Sequence, residues 1–321
     1  MRVYTTHVGS FPLEYSINNI KRIITDLHNI NIDFMGYPQL RDFISMYLEP
    51  LIREGLIKET KGGYLCDDIN NLLKAEISET YTVNEAIFLK EMTKEYKFTG
   101  IKGSITGPFT LSSRVYAGRV SMFSALIANK NIVRNVFIPL VKAYIRGLEK
   151  LNYDMVIIDE PILSVIVGKR ILYKYTSNEI ISYLNELIEG IKIKYVGIHV
   201  CGRLSKTLVN ILLNTNFKIL DHEFKCTPQN YEVYSYEMLE ENDKYIGVGV
   251  VSSKDIKVES VKEIKEEINK ALSKFKNRLL LVKPDCGFAG LRIVGQEEEC
   301  YKIALAKLNN IEKALKELNL K

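Results

Sequence analysis

The chain contains no tryptophan, and only four histidines and five cysteines among its 321 residues. No apolar run approaches the roughly 18 residues that a membrane-spanning helix needs. The opening stretch, MRVYTTHVGSFP, lacks the apolar core of a signal peptide. A soluble, cytoplasmic protein without a membrane partner is therefore expected. Lys and Arg number 44 against 39 Asp and Glu, a net charge of +5 with no basic block, so no nucleic-acid partner is implied. Cys66, Cys201, Cys226, Cys286 and Cys300 are odd in number and widely scattered. In a reducing compartment such cysteines are buried, metal-bound or reactive rather than paired. No Pro/Gly/Ser-rich linker or low-complexity tract divides the sequence, and no short repeat is evident.

What is present is a series of short β-rich runs: RVYTTHV, NIDFMGY, FTGIKGSI, DMVIID, KYVGIHV, FKILDHE, KYIGVGV and RLLLVKP. Most are separated by stretches of helical periodicity, such as residues 121–151 and 258–275. Eight strands alternating with helices predict an α/β fold, a (β/α)8 TIM barrel occupying residues 1–321 as one unit. An open doubly wound sheet is the rival. It would want a glycine-rich phosphate turn after the first strand, and HVGSFP is not G-x-G-x-x-G.

The unusual polar residues fall at the C-terminal ends of these runs. Ser10 follows the first strand, Gln39 the second and TGPFTLSSR the third. Asp159 closes the fourth, His199 and Cys201 the fifth, Glu223 the sixth and Cys286 the eighth. In a barrel these ends ring one mouth, where active sites are built.

His199 and Cys201 stand two apart on a strand end, so both side chains can face the same way. Taken alone, an H-x-C pair is more often a core histidine beside a buried thiol. Glu223 in LDHEF and Cys286 in KPDCGF, at other strand ends, are candidate partners should the pair belong to a zinc site, which draws its ligands from Cys, His and carboxylate. His222 competes with Glu223, since adjacent strand residues point to opposite faces. Cys66, in the turn-like KGGYLCDD, Cys226 and Cys300 are expected to be structural or solvent-facing.

THVGSFP, TGPFTLS, IIDEP, IHVCG, DHEF and KPDCGF occur in this order, and together they resemble the catalytic barrel of the cobalamin-independent methionine synthase family. The similarity runs from residue 5 to about residue 290. The resemblance implies a methyltransferase whose catalytic zinc is held by His199, Cys201, Glu223 and Cys286. It implies homocysteine binding by Val8, Gly9 and Ser10 in the first-strand turn and by Asp159 of the D-E-P motif. The length corresponds to the short core form of the family, without the second, N-terminal barrel of its long members.

Zinc would turn the homocysteine thiol into a thiolate. Two cysteine thiolates and a carboxylate keep the bound sulfur electron-rich, so nucleophilicity survives the lowered pKa. Glu223, the hardest ligand, is expected to yield when substrate sulfur arrives. Asp159 is expected to pair with the substrate ammonium, with backbone N–H groups around Gly9 and Ser10 on its carboxylate. The bland alternative makes Asp159 a helix cap before Pro161.

The sequence departs from the folate-using members on the other half of the reaction. The tryptophan on which they stack the pterin aligns with Arg114, and a folate-contacting Glu aligns with Val165. Their catalytic His aligns with Lys254, and a homocysteine-binding Glu is replaced near Tyr37 and Gln39. The methyl donor is thus expected to be a methylcobalamin-bearing corrinoid protein rather than free methyltetrahydrofolate. The alternatives are a zinc methyltransferase acting on another thiol, such as coenzyme M, a decarboxylase of the uroporphyrinogen type, and a zinc site that only staples loops.

Overall fold

The computed structural model describes residues 2–321. Eight parallel strands form the central sheet: β1 Tyr4–Thr5, β2 Phe34–Gly36, β3 Gly100–Thr106, β4 Met155–Asp159, β5 Tyr195–Val200, β6 Ile219–His222, β7 Tyr245–Val251 and β8 Leu279–Pro284. Six lie within the expected runs, and β3 and β7 each extend one residue beyond theirs, to Thr106 and Val251. Each strand pairs with its neighbour in sequence, β1 pairs with β8, and a parallel bridge from Thr6 to Phe34 joins β1 to β2. The sheet therefore closes into a (β/α)8 barrel.

Register and alternation decide what fills the barrel. Phe34, Met155, Ile157, Ile219 and Leu281 form an apolar cluster inside it, with Tyr4 and Tyr195 against them. One row of registered positions joins Thr106, Asp159, His199, Asp221 and Gly247 across five strands. Side chains alternate along a strand, so the inward set changes from apolar to charged towards the C-terminal end. Asp221 and Lys283 are buried there, and Lys102, in register with Met155 nearer the start of β3, is buried as well. A Cβ on Gly249 of β7 would stand 2.6 Å from the Cα of Asp285, so only glycine leaves room for the turn that follows β8.

The outer helices carry apolar stripes against the strands and begin at recognisable caps. Ser16 caps Ile17–Ile30, and Thr176 with Glu179 and Ser260 with Glu263 form capping boxes for Ser177–Ile188 and Val261–Phe275. The long helix expected over 121–151 begins later. Two short turns, Met122–Ser124 and Leu126–Ala128, precede a run from Lys130 to Lys150 that contains a π-helical segment at Val133–Phe137.

The structure adds a three-stranded sheet that the sequence reading did not contain. Lys58–Thr60, Gly63–Cys66 and Val115–Ala117 pair beside the mouth, which puts Cys66 at a strand end rather than in a turn. No helix among the described residues is long and apolar enough to cross a membrane.

Candidate metal centre at the barrel mouth

The ends of β5 and β8 converge on three donors. His199 Nε2 is 2.8 Å from Cys201 Sγ, and Cys201 Sγ is 3.1 Å from Cys286 Sγ. The three donor atoms lie within 4.8 Å of one another, close enough to share one ion. One imidazole nitrogen and two sulfurs make a borderline-to-soft set that suits zinc better than a hard cation.

The surroundings of His199 fit that assignment. Its Nδ1 is 3.3 Å from Asp221 Oδ2, and the other oxygen of Asp221 pairs with Lys283 Nζ at 2.9 Å. A carboxylate on one ring nitrogen fixes the ring and leaves the other nitrogen for a metal. Burial disfavours the imidazolium, but Asp221 outweighs it and lifts His199 to about 9 in the metal-free protein. The two thiols divide one proton. Contact with Cys201 pulls Cys286 well below the usual thiol range, while contact with Cys286 and burial push Cys201 up.

Glu223 follows β6 and is buried, yet its carboxylate is not gathered with the three donors; its Oε1 accepts from the Thr227 hydroxyl. Its neighbour His222 is engaged elsewhere, with Nδ1 3.0 Å from Val200 O and Nε2 3.0 Å from Tyr234 OH.

Asp159 stands in register with His199 on the adjacent strand. Burial pushes its carboxyl up to about 7, against the opposing pull of His199 and Lys102. Its Oδ1 is buried without a partner. It caps no helix: Ile162–Ile166 starts at Pro161 with no side-chain cap. The capping carboxylate is that of Glu160, which accepts from the N–H groups of Phe109 at 2.9 Å and Thr110 at 2.8 Å.

The first-strand turn packs against the Cys286 turn. Phe288 N–H donates to Ser10 O at 2.9 Å, and Ala289 N–H to Ser10 Oγ at 3.2 Å. Val8 O accepts from Ser104 Oγ at 2.6 Å. A Cβ on Gly9 would come 2.5 Å from Gln39 Oε1. Gln39 is itself buried, giving its amide protons to Ser104 O at 2.9 Å and Tyr47 OH at 3.0 Å, and Tyr37 OH donates to the same Ser104 carbonyl at 2.6 Å.

The remaining predicted positions lie further out. Arg114 and Val165 line one 440 Å³ cavity with Tyr116, Tyr173 and Phe43. Lys254 is exposed and lines a separate 550 Å³ cavity with Cys226 and Ser252. Cys66 and Cys300 are buried and Cys226 is exposed.

Sequence reasoning missed Asp221, Lys283, Lys102, Asn230 and Asp285. Two signals were available. Asp221 is two residues before Glu223 and so shares its face of the strand. Lys102 and Lys283 are charges inside otherwise apolar runs, GIKGSI and LLLVKP.

Comparison with known proteins gives the family and the fold. Residues 69–311 match the family model described as cobalamin-independent synthase, catalytic domain. A methionine synthase of Methanocaldococcus jannaschii is 28% identical over 329 residues, covering 97% of this chain and 98% of that protein. One from Methanothermobacter thermautotrophicus is 32% identical over 212 residues, covering 66% of this chain and 61% of its own. Among solved structures, a B12-independent methionine synthase from Shewanella sp. W3-18-1, in complex with selenomethionine, superposes with a TM-score of 0.70. It is 17% identical and covers 100% of this chain and 99% of that chain, a likeness of fold. With three quarters of its length inside the family model, this chain belongs to the cobalamin-independent synthase catalytic-domain family, a family of enzymes.

Proposed function

We propose that the protein is a cytoplasmic methionine synthase, one zinc-dependent barrel that methylates the sulfur of homocysteine. The observation that carries this reading is the His199–Cys201–Cys286 donor set beside an unpartnered, buried Asp159 oxygen. In this reading zinc is held by His199, Cys201 and Cys286 with Glu223 as the fourth ligand, and it supplies the Lewis acidity that keeps a substrate thiol deprotonated at neutral pH.

The chain's own groups do the rest. Asp159 takes the substrate ammonium, and its burial makes that ion pair strong only when the pair forms. The turn Val8–Gly9–Ser10 presents backbone to the substrate carboxylate, and Gln39 fixes that turn from below. Substrate then reaches across from Ser10 to Cys286, whose turns are already hydrogen-bonded together. Once the S–H proton has left to solvent, the thiolate sulfur would attack the donor's methyl carbon; the C–S bond forms as the bond between methyl and donor breaks, the donor keeps that electron pair, and methionine forms.

The donor in this reading is a methylcobalamin-bearing corrinoid protein, approaching from the side of Arg114 with Lys254 at the opposite rim. What supports it is the absence of tryptophan and the shared cavity of Arg114 and Val165, the two positions at which the sequence departs from folate-using members. The test is methyl transfer to homocysteine with methylcobalamin and methyltetrahydrofolate in turn, coenzyme M as competing thiol, and zinc quantified. Efficient use of free methyltetrahydrofolate alone would end the donor assignment. Preference for coenzyme M would end the substrate assignment, and zinc-free activity would remove the metal.

A further inference from the structure

The backbone of Glu223 is fixed from both sides. Its carbonyl accepts from Asn230 Nδ2 at 2.8 Å, and the next amide, Phe224 N–H, donates to Asp285 Oδ1 at 2.9 Å. Asn230 also donates to Gly202 O at 3.0 Å and accepts from Leu204 N–H at 2.9 Å, tying the Glu223 turn to the turn after Cys201. Asp285, the residue before Cys286, takes two further N–H groups, from Lys225 at 2.9 Å and Cys226 at 2.7 Å. Two buried side chains thus join the three turns that carry Cys201, Glu223 and Cys286.

The Glu223 side chain is placed differently. While His199, Cys201 and Cys286 are gathered, its carboxylate lies on the Thr227 hydroxyl, four residues along the same turn. We propose that Thr227 is a positioning residue that holds the Glu223 carboxylate away from the metal position. The fourth ligand then comes and goes by rotation of one side chain on a fixed backbone. This rests on Glu223 being the fourth zinc ligand.

The Thr227 hydroxyl and the metal would compete for one carboxylate. A hydroxyl–carboxylate hydrogen bond is charge-assisted and stronger than a neutral one. Thr227 is only half-buried, so the bond keeps part of that strength. Pro228 follows and restricts Thr227 to extended backbone, which fixes where its hydroxyl can be. Each state of Glu223 has a partner for its carboxylate, so neither leaves a buried charge bare. The cost of making room for a substrate sulfur falls accordingly, and no loop has to move.

The test compares Thr227→Val, which keeps the shape and loses the hydroxyl, with Thr227→Ser, which keeps the hydroxyl, and with Glu223→Gln. Zinc affinity is measured without thiol by competition with a chromophoric chelator; the zinc-loaded proteins are then titrated with homocysteine. Thr227→Val is expected to bind zinc about tenfold more tightly, the worth of one charge-assisted hydrogen bond, and to need more homocysteine for saturation. Thr227→Ser is expected to match the parent, and Glu223→Gln to bind zinc more weakly. Loosening of the turn by Thr227→Val would weaken zinc binding, the opposite sign. Unchanged or weaker binding in Thr227→Val, with Glu223→Gln still weakened, overturns the role of Thr227 and leaves the ligand assignment standing. Unchanged zinc affinity in Glu223→Gln overturns the ligand assignment and the Thr227 role with it.

Discussion

On the β5–β6–β8 side of the mouth, His199, Cys201 and Cys286 rest on buried partners, with Asp221, Lys283, Asn230 and Asp285 each bonded to at least two other groups. On the β2–β4 side, Phe43, Arg114, Val120 and Val165 line an open apolar cleft, and Val165 is 67% exposed. The first side is pre-organised, as a site needs when its ligands must keep a few tenths of an ångström. The second offers area and shape, which suits binding of a large donor. In the proposed reaction, chemistry and donor recognition are then separable, and mutations on the two sides should have different signatures.

The largest effect is expected from Cys286→Ala or Cys201→Ala. Either should abolish zinc retention and lower methyl transfer by more than about 100-fold, beyond what loss of an outer partner costs. Metal analysis after dialysis, alongside the assay, checks both. Asp285→Asn comes next: it weakens three N–H contacts to the turn after Glu223, and zinc affinity should drop about 10- to 100-fold with the fold intact. Chelator competition with circular dichroism reads it.

Arg114→Ala should act on the other side only. The apparent KM for the donor should rise by about tenfold or less, with the KM for homocysteine unchanged; equal change in both would merge the two sides.

The smallest effect concerns acid stability, away from both sides. His7 is buried, and burial together with Lys102 lowers its pKa to about 3 from an ordinary 6.5. Its Nε2 accepts from Gly36 N–H at 3.1 Å while neutral. The unfolded chain takes up this proton at higher pH than the folded one. The stabilising contribution is thus complete above about 6.5 and lost as pH falls towards 3. Denaturant melts from pH 8 to 4 should show a shallower loss in His7→Gln, by up to one proton's slope.

All eight barrel strands were legible because each is a short run rich in apolar residues, and most stand between helical stretches. The H-x-C spacing and the D-C-G turn were legible because ligation needs those residue types at strand ends. The small sheet was not: Lys58–Thr60 and Val115–Ala117 are three residues each, too short for a period-two signal. The supporting residues were hidden for another reason. Asp221, Asn230 and Asp285 act across loops distant in sequence, and only register shows that Asp221 faces His199. The orientation of Glu223 towards Thr227 lies beyond any spacing argument, since a side-chain rotation leaves the sequence pattern unchanged.

In the proposed reaction the pre-organised side of the mouth is a zinc site with one exchangeable ligand position for homocysteine sulfur. Zinc-edge X-ray absorption on the loaded enzyme, before and after homocysteine, addresses it directly. Two sulfurs near 2.3 Å should become three, with loss of one oxygen. A sulfur count that homocysteine leaves unchanged would contradict the account.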